Sequence, residues 1–107
     1  MRALPLLLLA CAEADPCPAM CVAAADTYGE CLETQDLDWS AAGYADRRDF
    51  IDACETWAWE QRVLEEAEDA PGRTDRACRQ RTQTLHQGAP PCETYAALGW
   101  SDPLSGS

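Results

Sequence analysis

Seven cysteines in a chain of 107 residues constrain its fold more than any other feature. They stand at positions 11, 17, 21, 31, 54, 78 and 92. Disulfide frameworks are typical of small exported domains, whereas cytosolic proteins rarely keep paired thiols. This length allows one domain, and if one cysteine has another use, the remaining six form an even set. The sequence therefore predicts a small exported domain held together by three disulfides.

The N-terminal residues follow the order of a secretory signal. Arg2 supplies a positive charge, and a short apolar run extends from Leu4 to Ala10. This run is too short to cross a bilayer as a helix. Its last residues and the next one, Leu8-Leu9-Ala10-Cys11, resemble the lipobox of bacterial lipoproteins, in which a small residue precedes a cysteine. The resemblance covers residues 1–11 only.

That resemblance implies lipid attachment at Cys11. In the family the signal is cut before the cysteine, whose thiol receives a diacylglycerol and whose freed amine is acylated. Several acyl chains on one residue give stable anchoring to a membrane. Because Ala12 is not Asp, the family pattern implies the outer rather than the inner membrane. The expected location is thus the bacterial cell envelope, with the membrane itself as one partner through the lipid on Cys11.

Two other interpretations of the N-terminus remain open. Ala12-Glu13-Ala14 also fits the small-x-small rule of ordinary signal cleavage, which would give a periplasmic or secreted protein. The second alternative is a cytosolic chain with a leucine-rich start. Under the lipoprotein interpretation, residues 1–10 are the signal peptide and residues 11–15 are the lipid-attachment cysteine and a short tether. Residues 16–98 are then the disulfide-rich helical domain, and residues 99–107 a flexible tail.

Three segments of the mature chain have helical patterns. Asp15 before Pro16 is a typical helix start, so the first helix is expected over residues 16–34. The second begins near Asp46 and ends before the breaker pair Pro71-Gly72, and the third covers residues 74–88. No segment alternates polar and apolar residues as a strand does. The predicted fold is all-α, a small disulfide-stapled bundle of about three helices with antiparallel neighbours, because the connections are short.

Helical spacing also predicts which residues face the interior. The inward residues of the first helix are Cys17, Cys21, Ala24, Tyr28 and Cys31; those of the second are Phe50, Cys54, Trp57 and Leu64, with Ile51 and Ala58 beside them; those of the third are Ala77, Cys78, Thr82 and Leu85. In the connection between the first two helices, Ser40 could cap an extra turn. Since this interior is poor in large aliphatic residues, disulfides are expected to supply much of the stability.

Heights along the helices rank the fifteen ways of pairing six cysteines. With a rise of about 1.5 Å per residue, Cys17 lies level with Cys78, Cys21 with Cys54, and Cys31 with Cys92. This is the preferred set of disulfides. An alternative with Cys31–Cys54 and Cys21–Cys78 leaves Cys17 far from Cys92.

Charge excludes some functions. The chain has 19 acidic and 8 basic residues, none of them Lys, and a net charge of −11. Such a chain is unsuited to bind nucleic acid or to adsorb to anionic lipid through the domain itself. The acidic end of the second helix, Glu65 to Asp69, precedes Arg73 and Arg76. We expect the two groups to offset each other inside the molecule.

No pattern of residues indicates catalysis, a metal site or a cofactor. His86 is the only histidine, and no cysteine remains free to pair with it for nucleophilic chemistry. Cys17 and Cys21 are separated by three residues, not by the two of thioredoxin-like motifs. The preferred hypothesis is a non-enzymatic lipoprotein that binds an envelope protein or has a structural role. The alternative is a small redox or metal-handling lipoprotein that uses Cys17, Met20 and Cys21.

Tryptophans supply the candidate contacts for such a partner. Trp57 and Trp59 lie about 200° apart on a helix, so both cannot face the same interior. If Trp57 points inward, Trp59 either points outward or is covered by Trp39, Tyr44 or Trp100. Exposed tryptophan is favoured in protein interfaces. The sequence therefore nominates Trp59 and Trp39.

Overall fold

The computed structural model describes residues 14–87 and Cys92. It contains three α-helices and a short 3-10 helix between the first two: α1 Pro16–Thr34, the 3-10 helix Trp39–Ala42, α2 Arg47–Ala67 and α3 Arg73–His86. Residues 14–87 include no strand, and none of their helices has both the length and the hydropathy to cross a membrane. The predicted all-α bundle is confirmed. The predicted signal peptide, Cys11 and the tail at 99–107 lie outside the described residues.

Short polar side chains cap the first residues of α1 and α2. The Asp15 carboxylate accepts a hydrogen bond from the Cys17 N–H at 2.9 Å, and Asp46 accepts one from the Asp49 N–H at 2.8 Å. Such N-caps satisfy backbone donors that have no partner inside the helix. Both helix starts agree with the prediction from sequence.

The cap of the 3-10 helix was predicted wrongly. Asp38, not Ser40, is the N-cap, and its Oδ1 accepts from the Ala41 N–H at 3.1 Å. The Ser40 hydroxyl donates to the same oxygen at 2.7 Å. The hydrogen bond from the Ser40 side chain, followed by that from the Ala41 backbone, lowers the pKa of Asp38. The Ser40 side chain thus stabilises the capping carboxylate of Asp38, but Ser40 is not itself the N-cap residue.

Pairs of contacting residues show that consecutive helices run antiparallel. Between α1 and α2, Cys21 is bonded to Cys54, and Asp26 forms an ion pair with Arg47. The later residue of α1 therefore meets the earlier residue of α2. Between α2 and α3, the ion pair Arg62–Asp75 and the stacking of Arg81 on Trp57 have the same relation. Consequently α1 and α3 point in the same direction, and α1 packs against both other helices.

Three disulfides connect α1 to the rest of the chain. They join Cys17 to Cys78, Cys21 to Cys54, and Cys31 to Cys92. These are the pairs that the heights of the residues along the helices favoured. Five of the six disulfide-bonded cysteines are 3% exposed or less, and the sixth, Cys92, is half-buried. Every disulfide has one cysteine on α1, so this helix is the one to which both others are bonded.

The buried interior differs from the predicted stripes in a few positions. Leu64 was predicted to face inward, but it is 46% exposed. Ala25 is buried while Ala24 is only half-buried, and Met20 and Leu32 are buried although the stripe omitted them. Met20 and Leu32 are buried because α1 contacts two helices rather than one, so its buried face is wider than a single stripe.

Four aromatic rings pack together within the apolar interior. Phe50 lies 5.3 Å from Tyr28, 5.3 Å from Trp39 and 5.1 Å from Tyr44, measured between ring centroids. Trp39 reaches the cluster because Gly29 faces it: a Cβ at Gly29 would stand 3.2 Å from the Trp39 ring. The two tyrosines meet Phe50 edge to face, and contacts of this kind add to the free energy gained from burial.

Candidate contact surface

Trp59 lies on the side of α2 that faces away from the bundle, and 65% of it is exposed. Residues Phe50, Cys54 and Ala58 of the same helix are buried. At about 100° per residue, Trp59 lies roughly 140° from the centre of that buried stripe. It therefore cannot share the interior with them.

The sequence left open whether another ring covers Trp59. Neither Trp39 nor Tyr44 covers it. Both rings pack against Phe50 instead. Trp100 lies outside the described residues. Trp57 is half-buried, with the Arg81 guanidinium 4.3 Å from its ring centroid, which is the geometry of a cation–π interaction.

Thr56, Trp59 and Val63 follow one line along α2, and we call this group the Trp59 face. Val63 is 49% exposed and lies one helical turn after Trp59. Beside Trp59 the surface forms an open groove of about 380 Å³, lined also by Asp52, Glu55 and Thr56. Trp59 and Val63 thus form an apolar ridge next to a shallow depression. On the opposite side of the same helix, Cys54 is buried and is bonded to Cys21 of α1.

Carboxylates border the Trp59 face on both sides: Asp52, Glu55, Glu60 and Glu66, all exposed. Asp52 forms an ion pair with Arg48 at 3.3 Å. Within the described part of the chain, the ion pairs do not include the other three. The apolar ridge is therefore surrounded by uncompensated negative charge.

Trp39, the second tryptophan nominated from sequence, does not join this surface. It is half-buried in the aromatic cluster, and it borders a different groove of about 460 Å³ between α1 and the connection that follows. That groove is also lined by Leu37 and by the carboxylates of Glu30 and Glu33. The structure therefore gives Trp39 mainly a packing role and separates it from Trp59.

The cluster proposed for redox or metal chemistry is committed to structure. Cys17 and Cys21 are bonded to Cys78 and Cys54, not to each other. Met20 is 1% exposed. A metal–thiolate site needs deprotonated thiols. No observation at these residues favours the alternative function.

Asp15, Cys17 and Asp75 bring two carboxylate oxygens and a sulfur within 4.8 Å of one another. The guanidinium group of Arg62 occupies the space between the carboxylates, with its Nη2 2.6 Å from Asp15 and 2.9 Å from Asp75. Burial alone would lower the pKa of Arg62, but the hydrogen bond that Arg62 donates to Asp75 and the charge of Asp15 outweigh it and raise that pKa. A guanidinium ion already provides the positive charge here.

This Arg62 contact was missed in the sequence analysis. It joins α2 to the start of α1 and to α3, across 47 residues in the case of Asp15. No local pattern marks such a contact, because it depends on how three helices meet.

His86, the only histidine, is exposed in the last turn of α3.

Comparison with known proteins assigns the chain to no family. No family model, no curated protein and no solved structure matches it. The function is therefore inferred from the described surface and from the sequence alone.

Proposed function

We propose that this protein is a non-enzymatic, lipid-anchored module of the bacterial envelope that binds another protein through the Trp59 face. The observation that carries the proposal is the 65% exposure of Trp59 on a helix whose opposite side is covalently fixed. Tryptophan is among the residues that contribute most to protein interfaces. A rigid support lowers the entropy lost when such a side chain binds.

The neighbours of Trp59 support binding rather than incidental exposure. Val63 extends the apolar ridge by one helical turn, and the groove lined by Thr56 offers space for a side chain of a partner. Single exposed apolar residues are common on soluble proteins, whereas adjacent ones next to a depression are typical of contact sites.

The proposed location rests on two features of different kinds. Three disulfides are consistent with an exported protein, since the cytosol keeps thiols reduced. The resemblance of Leu8-Leu9-Ala10-Cys11 to a lipobox supports anchoring through Cys11. The parity of the cysteines agrees with both, because Cys11 is the one left without a partner in the disulfide set.

The binding proposal is tested by photo-crosslinking in intact cells. A photoreactive phenylalanine derivative replaces Val63 in one strain and Gln83, an exposed residue of α3, in another. We expect a protein adduct from position 63 and none from position 83. Adding Trp59→Ala should reduce the adduct at least about tenfold, as expected for an interface hot spot.

Leu64→Ala is the matched control for that substitution. Leu64 is also an exposed apolar residue of α2, but it lies outside the Trp59 face. This variant should keep the full yield of adduct. Equal yields from Trp59→Ala and from the unmodified chain would refute Trp59 as the anchor.

Anchoring is tested by the intact mass of protein extracted from membranes, before and after reduction. We expect a chain that begins at Cys11 and carries acyl groups. Reduction should add two hydrogens for each of three disulfides. A lipid-free chain that begins at Asp15 would show ordinary signal cleavage and end the anchoring proposal.

A further inference from the structure

We infer that the partner of the Trp59 face is a cationic segment of another protein, in which Lys or Arg residues flank a large apolar side chain. This inference rests on the proposed function and adds the chemistry of the partner to it. Its basis is the combination of an exposed apolar ridge with the carboxylates that border it.

The charge around the ridge selects the sign of the partner. Glu55, Glu60 and Glu66 are exposed and have no ion pair within the described part of the chain. They lie within about 11 Å of Trp59 along the helix axis, which is close to the screening length at physiological salt. An approaching basic segment is attracted by all three, whereas an acidic segment is repelled.

The shape of the surface suits the side chains of such a segment. The aliphatic part of a Lys or Arg can lie against the Trp59 ring while its charged end reaches Glu55 across the groove. Within the protein itself a basic side chain already packs on a tryptophan, since the Arg81 guanidinium lies 4.3 Å from the ring centroid of Trp57. An apolar side chain of the partner would then contact Val63.

Three other occupants fit less well. Two copies of the chain would bring two acidic faces together, which costs electrostatic free energy. Residues 93–107 of the chain contain Glu93 and Asp102 and no basic residue, so their charge does not complement the face. A membrane surface rich in anionic lipid would repel it in the same way.

The test compares two triple substitutions that remove the same charge. Glu55→Gln, Glu60→Gln and Glu66→Gln neutralise the border of the Trp59 face. Glu30→Gln, Glu33→Gln and Asp36→Asn neutralise three exposed acids of α1 and the residues that follow it. Both are combined with the photoreactive residue at position 63, and the crosslinked partner segment is identified by mass spectrometry.

We expect a partner segment with a net positive charge, and an adduct reduced at least about tenfold by the first triple substitution but not by the second. Circular dichroism of both variants checks that each is folded. An adduct to a neutral or acidic segment, or equal losses from both variants, would overturn the inference while leaving Trp59 as the anchor. An adduct to a second copy or to lipid would overturn it as well. If position 63 yields no adduct at all, the proposed function itself fails.

Discussion

The two ends of this bundle are held together by different forces. At one end, which we call the cross-linked end, the disulfides Cys17–Cys78 and Cys21–Cys54 join α1 to both neighbours, and Arg62 lies beside them. At the other, the aromatic end, Phe50 packs against three rings, and the third disulfide starts from Cys31, about one helical turn after Tyr28. The comparison shows that two disulfides support the end that, among the described residues, has no cluster of buried rings.

The size of each contribution explains this division. Closing loops of 61 and 33 residues by disulfides stabilises the fold by about 4 kcal/mol each in the loop-closure picture. A buried Phe contributes an amount of similar order. The two disulfides of the cross-linked end therefore give a stabilisation comparable to that of the buried Phe50 at the aromatic end.

Reduction of all three disulfides should have the largest effect on this balance. We expect loss of cooperative helical structure, because an interior with a single Phe cannot offset the restored entropy of the unfolded chain. Far-UV circular dichroism with and without a reductant measures the effect, and alkylation counts the thiols. A chain that stays folded with its six paired cysteines alkylated would contradict the interpretation.

Phe50→Ala should break the aromatic end selectively. The expected loss is about 3–5 kcal/mol in the free energy of unfolding, because the ring is fully buried among three others. Hydrogen exchange should rise more in residues 39–50 than near the start of α3, where the disulfide Cys17–Cys78 restrains the chain. Phe50→Leu is the control and should lose less. A uniform rise in exchange would mean that the two ends are not independent.

The smallest expected effect concerns Glu65, at the cross-linked end. Its carboxylate accepts hydrogen bonds from the Thr74 N–H at 2.7 Å and the Gly72 N–H at 3.1 Å, so a side chain of α2 caps α3. The Thr74 side chain, followed by these backbone groups, lowers the pKa of Glu65. A lowered pKa in the folded state stabilises the fold above the unfolded-state value, and the gain disappears as the pH falls through the folded-state value.

Urea unfolding between about pH 7 and about pH 3 tests this prediction. The wild-type protein should lose more stability over that range than Glu65→Gln does. Glu66 lies next to Glu65 without contacting α3, so the variant Glu66→Gln should lose as much stability over this pH range as the wild type. Identical pH profiles for all three proteins would remove Glu65 from the account.

The sequence predicted the helix ends well because caps and breakers are local signals. Asp15 with Pro16 begins α1, and Pro71-Gly72 separates α2 from α3. The disulfide pairs were accessible for a similar reason, since the rise of a helix converts residue number into height. Local spacing thus accounts for the order of the elements and for most of their cross-links.

Contacts between distant parts of the chain were less accessible. The role of Arg62, the cap from Glu65 and the insertion of Trp39 opposite Gly29 all depend on how helices and loops meet. Leu64 was misplaced because it lies about 80° from the centre of the stripe formed by Phe50, Cys54 and Ala58, at the edge of the buried face of α2. The angle between Trp57 and Trp59 indicated that both cannot face the same interior, but whether another ring covers Trp59 could not be derived from spacing.

The ion pair between Asp15 and Arg62 has a consequence for how the molecule would sit on a membrane. It ties the first described residues to α2 less than one helical turn from Trp59. Under the proposed anchoring at Cys11, the four residue steps to Asp15 reach at most about 14 Å. The binding face would then lie close to the lipid headgroups, so a membrane-embedded or membrane-bound protein could meet it directly, while a freely diffusing one would have to approach along the bilayer surface.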